Sequence, residues 1–83
     1  MQIRVLEVLE DRPLSRKEIF ANIGISGDSR AFKRHIEPLL VKGFVEMTVP
    51  DKPNSKLQRY RLTDSGKLAI RHTLYSLFLS LSN

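Results

Sequence analysis

The chain has 83 residues, a formal net charge of +5, 41% hydrophobic and 28% charged side chains, and no cysteine. That length suits one core, because neither half alone has enough apolar residues to bury, and the composition excludes a disordered chain. Without cysteine or a His/Asp cluster at metal-ligand spacing, disulfides and structural zinc are excluded as sources of stability, so packing carries the fold.

Residues 2–10 set Ile3, Val5, Leu6, Val8 and Leu9 among charges, which predicts a short first helix ending before Pro13. Arg4, Glu7 and Glu10 interrupt any secretory apolar core here, and the apolar run Leu74 to Leu81 is too short to span a bilayer. The expectation is a soluble, cytoplasmic protein. Leu14 is expected to form the stub of a strand, and Ser15 with Glu18 reads as a capping box opening a second helix. Ile19, Phe20 and Ile23 give that helix its buried face, and Gly24 closes it. Ile25 is the expected apolar plug of the next turn, and Ser26 or Asp28 the next cap.

A third helix is predicted over roughly 28–42, with Phe32, Ile36, Leu39 and Leu40 inward and Arg30, Arg34, Glu37 and Val41 outward. Pro38 is discordant: it removes the bond to the Arg34 carbonyl, so the helix either kinks there or breaks at Glu37. Gly43 ends the segment. Residues 44–49 then alternate as a strand, with Val45, Met47 and Val49 facing the helices. Residues 50–56 are dense in turn formers, and 58–62 alternate again with Tyr60 and Leu62 opposite Arg59 and Arg61. Thr63 or Asp64 caps a last helix whose pattern runs on through Leu74, Leu77, Phe78 and Leu81, although residues 77–82 also alternate with period two.

The resulting class is mostly α with a small β hairpin: a winged helix-turn-helix with a three-helix core (residues 2–70), a two- to three-stranded wing and an extra C-terminal helix over 64–82. Charge follows this map. Residues 28–61 carry eight basic and four acidic side chains, whereas residues 1–27 carry four of each. A localised basic surface is the electrostatic footprint of a nucleic-acid binder. In such folds the third helix enters the major groove and the wing follows the phosphates. Arg30 and Arg34, one turn apart, are the candidates for base edges or phosphates, and Ser29 and Lys33 for phosphate. Lys52, Lys56, Arg59 and Arg61 form the wing set. The competing description is an ordinary solvated surface, with Lys33 and Glu37 as a helical pair and Arg59 and Arg61 on the wet side of the hairpin.

Nothing in the sequence calls for catalysis, a metal or a cofactor. His35 and His72 lack further ligands nearby in sequence, Ser15, Ser26 and Thr63 read as caps rather than nucleophiles, and Gly24 and Gly27 lack the spacing and preceding strand of a nucleotide loop.

The stretch GFVEMTVPDKPNSKLQRYRLTDSGK, residues 43–67, resembles the C-terminal winged-helix domain of bacterial Fic-like (filamentation induced by cAMP) proteins and of Schlafen-like ATP-binding transcriptional regulators. The PDKPNS wing is the specific part. Upstream, SRKEIFANIGI and FKRHIEPLLVKG resemble the same domain's helix-turn-helix, proline included, so the likeness covers residues 14–70. Fic enzymes transfer nucleotidyl groups through a histidine-containing loop rich in Gly, Asn and Arg, which this sequence lacks, so the resemblance implies the domain and not that activity. With Met1 almost at helix 1, the chain is expected to be an excised domain of a longer protein.

Two functions remain open. One is a double-stranded DNA-binding module of a regulator. The other is a protein-interaction or dimerisation module, since fold does not fix function, with Leu74, Leu77, Phe78 and Leu81 as the contact to a second copy or to a partner domain.

Overall fold

The computed structural model describes residues 2–81, with the side chains of residues 3–73, Ser76 and Leu79. In chain order the elements are α1 (Gln2–Val8), α2 (Arg16–Ile23), α3 (Ser29–His35), α4 (Glu37–Val41), β1 (Val45–Met47), β2 (Tyr60–Leu62) and α5 (Asp64–Leu81). This is the mostly helical, winged-helix-like architecture that the periodicities imply. β1 and β2 pair antiparallel with Val45 opposite Leu62, Glu46 opposite Arg61 and Met47 opposite Tyr60. Leu14 adds the expected stub by exchanging backbone hydrogen bonds of 3.0 and 2.8 Å with Tyr60.

Each helix of the turn motif begins and ends on local chemistry. The Ser15 hydroxyl accepts the Glu18 amide at 3.2 Å while the Glu18 carboxylate accepts the Ser15 amide at 2.9 Å, and such a cap contributes about 1 kcal/mol. Gly24 closes α2 at φ 77°, a left-handed conformation that a side chain disfavours. Of the two candidate caps for α3, Asp28 is the one used: its carboxylate accepts the Ala31 amide at 2.8 Å.

The continuous, kinked helix over 28–42 does not form; the break does. α3 stops at His35, Ile36 takes φ −102° and ψ −47°, and α4 starts at Glu37 with Pro38 in its first turn. A proline inside a helix costs about 3 kcal/mol, whereas in the first turn its missing N–H would have had no partner anyway. The chain avoids the cost by restarting. Ile36 still fills the centre of the core, and its carbonyl accepts both the Leu39 and the Leu40 amides. The strands are also shorter than the alternating runs: beyond Met47 the Thr48 amide still donates to the Arg59 carbonyl at 2.9 Å, and then the wing loop departs.

One buried cluster joins all these elements. Val5, Leu6 and Leu9 of α1 meet Ile19, Phe20 and Ile23 of α2, Ile36 and Leu39, Val45, Tyr60 and Leu62 of the hairpin, and Ile70 of α5. α5 is helical through residue 81, resolving the ambiguous tail, and its first half packs on α1 and β2. Its start is tight: a Cβ on Gly66 would overlap the Phe44 carbonyl oxygen. Thr63 caps it, accepting the Gly66 amide at 3.1 Å and donating to the Gly43 carbonyl. The proposed contact residues Leu74, Leu77, Phe78 and Leu81 lie on this helix, but their side chains are outside the described residues. Among the described residues no helix is long and apolar enough to cross a membrane.

Candidate nucleic-acid interface

The short α3 presents the first part of the interface. Burying Phe32 and Ala31 partway against the core turns Ser29, Arg30, Lys33 and Arg34 outward, and all four are exposed. Among the described residues no ion pair engages Arg30, Lys33 or Arg34. The Lys33–Glu37 pair that helical spacing allows is absent, because the break at Ile36 falls between them.

The hairpin presents the second part, and there the arginines are engaged. Arg61 Nε donates to Glu46 Oε1 at 2.7 Å, as expected for side chains directly opposite in the antiparallel register. Arg59 Nη1 donates to Glu18 Oε1 at 2.7 Å, which ties the wing to α2 across 41 positions of sequence. The Ser15 amide, then its hydroxyl, then the Arg59 guanidinium hold the Glu18 carboxyl below the usual carboxylate range. The cationic groups left without a carboxylate in the wing are Lys52 and Lys56, both exposed in the loop.

That loop is not free. Gln58 is 5% exposed, and its side chain accepts the Val49 amide and donates to the Val49 and Lys52 carbonyls. This amide takes over from the backbone pairing, whose last bond is Thr48 to Arg59, and fixes the wing's shape. Nothing in the sequence distinguishes Gln58 from a solvated polar residue, so its role is visible only from the fold.

Arg16 and Lys17 are a further addition. The Arg16 guanidinium lies 4.8 Å from the Phe32 ring centroid, and Phe32 in turn sits 6.1 Å from Tyr60 at a 57° tilt. Tyr60 is buried, which pushes its phenol pKa up and keeps it neutral. Helical periodicity places Arg16 and Lys17 on the first turn of α2, but only the tertiary arrangement sets them opposite the wing. The structure therefore gathers the cations into an α3 face, a wing loop and the start of α2. Arg59 and Arg61 stand apart from these, occupied by carboxylates. Among the described residues no group of His, Cys, Asp or Glu has the arrangement of a metal site.

Comparison with known proteins is consistent with this architecture. The family described as "Filamentation induced by cAMP protein Fic-like, C-terminal domain" matches residues 2–63. A crystal structure of a Fic family protein from Desulfovibrio desulfuricans G20 superposes with a TM-score of 0.67 at 29% identity, covering 76% of this chain. The match takes up 20% of that protein, so the chain spans about a fifth of its length. No curated protein matches the chain.

Proposed function

Because the chain belongs to the family of C-terminal domains of Fic-like proteins, we propose that it is the winged-helix DNA-binding module of a longer bacterial protein. The observation that carries this reading is the exposed face of α3, where Arg30, Lys33 and Arg34 cluster without carboxylate partners at the position a recognition helix occupies. In this reading Arg30 and Arg34 meet base edges or phosphates in the major groove, Lys33 with Ser29 at the helix start holds phosphate, and Lys52 and Lys56 follow the backbone from the wing. Arg59 and Arg61 contribute less, since each must leave a carboxylate to reach phosphate. The module works on duplex DNA in the cytoplasm without catalysis, metal or cofactor, and nucleotidyl transfer is not ascribed to its residues. A Schlafen-like regulator is the other parent in which such a domain would sit, although the family and structural likenesses found are to Fic proteins.

Titration of duplex DNA at two salt concentrations tests it. Binding that weakens steeply with salt, and weakens again in Arg30→Ala and Arg34→Ala, is the expected result. Absence of binding at low salt refutes it.

One observation favours a second reading, a protein-interaction or homodimer module: α5 leaves Leu68 63% and Leu79 46% exposed. Light scattering distinguishes it: α5 as the contact requires a dimer of the intact chain that becomes a monomer in a version ending at Arg71, and a monomer in both refutes it.

A further inference from the structure

Between the start of α2 and the wing runs a groove of about 660 Å³. One wall is Arg16 and Lys17; the other is the wing loop with Pro53 and Lys56; Phe32, Met47 and Tyr60 form its apolar base. Every charged side chain lining it is cationic. The carboxylates nearest in sequence to its lining, Glu18 and Glu46, are turned to Arg59 and Arg61 instead.

The walls are set before any ligand arrives. Gln58 fixes the wing loop, the Glu18–Arg59 pair links that loop's base to α2, and Arg16 is held over Phe32. At the start of α2 the Ser15 and Glu18 amides are already satisfied by each other's side chains.

We propose that this groove is a cleft for one strand's sugar-phosphate backbone, with Arg16 and Lys17 as phosphate contacts facing Lys56 across it. The proposal rests on the DNA-binding reading and extends it to α2. Its basis is chemical match: a nucleic-acid strand alternates apolar deoxyribose faces with phosphate anions, and this groove pairs an apolar base with cations on both walls. Its place also fits, since Phe32 belongs to α3 and Lys56 to the wing, so a strand lying here runs between the two elements assigned to the grooves of the duplex. An acidic peptide with an apolar anchor is the rival occupant.

The experiment measures affinity for a mixed-sequence duplex by fluorescence anisotropy across a salt series, using the full chain, Lys17→Gln, Arg16→Gln and, as control, Lys67→Gln on α5. Each phosphate contact contributes about 0.9 to the slope of log affinity against log salt. Lys17→Gln is therefore expected to lose about tenfold at roughly 50 mM salt and about two- to threefold at roughly 200 mM, with its slope reduced by about 1. Lys67→Gln is expected to match the parent. Arg16 also packs on Phe32, so circular dichroism accompanies its variant, and exposed Lys17 carries the test if Arg16→Gln unfolds. Three outcomes overturn the proposal. One is an unchanged slope in Lys17→Gln, which leaves the α3 reading intact if Arg30→Ala still weakens binding. Another is an equal loss in Lys67→Gln, a mere net-charge effect. The last is absence of salt-dependent binding by the parent chain, which removes the DNA reading as well. An acidic-aromatic peptide that binds the parent chain but not Lys17→Gln, with duplex affinity unaffected, assigns the groove to a protein partner.

Discussion

The outward faces of α3 and of the hairpin carry arginines in opposite electrostatic settings. On α3, Arg30 and Arg34 form no ion pair with either nearby acid, Asp28, which caps the helix, or Glu37, which lies beyond the break. On the hairpin, Arg59 and Arg61 each donate to a carboxylate at 2.7 Å. The two faces have similar formal charge, but their charge is not equally available. A phosphate approaching α3 displaces water; one approaching Arg59 or Arg61 must also compete with Glu18 or Glu46. Counting basic residues along the sequence therefore overstates the hairpin strands and understates the start of α2.

The sharpest way to break this comparison is to remove the α3 arginines together. Arg30→Ala with Arg34→Ala is expected to cost about 1–3 kcal/mol of duplex affinity per residue, read by anisotropy titration, with little change in melting temperature because both side chains are exposed. If Arg59→Ala with Arg61→Ala costs as much, the distinction between the faces fails. Next in size is a stability effect confined to the wing. Gln58→Ala leaves the Val49 amide and two carbonyls without their partner and is expected to lower folding stability by about 1–3 kcal/mol in thermal or urea unfolding.

Glu18→Gln is the more delicate probe. Glutamine preserves the capping box, so the helix start survives while Arg59 loses its ionic partner. Duplex affinity is expected to rise by about twofold, an estimate from the small strength of exposed ion pairs. The same variant tests a pH dependence. The Glu18 carboxyl is held below its usual range in the fold, so its contribution to stability is present above the ordinary carboxylate pKa and is lost as the pH falls through the lowered one. The acid limb of a stability–pH profile should therefore be shallower in Glu18→Gln. Smallest of all, Glu46→Gln should change melting temperature by no more than about a degree or two, since a half-exposed surface pair contributes little.

Much of the scaffold is legible in the linear order of residues because its determinants are local. The Ser15–Glu18 box, Gly24 and Gly43 at the helix ends and the alternation around Tyr60 all involve neighbours or simple periodicity. Pro38 shows the margin of that legibility. Its lost hydrogen bond is evident from sequence, but whether the helix bends or restarts depends on whether Ile36 can reach the core from the junction between two helices, and it does.

The candidate interface divides along the same line. By itself, the sequence determined the winged helix, the exposed α3 cations and the basic loop, since helical and strand periods fix which way a side chain points relative to a core. Only the tertiary structure decided which cations are engaged and which face one another. Arg59 meets Glu18 from 41 positions away, Gln58 is buried rather than solvated, and Arg16 and Lys17 face Lys56 across a groove. These are pairings between elements, and Coulomb interactions depend on distance in space, which no local period encodes.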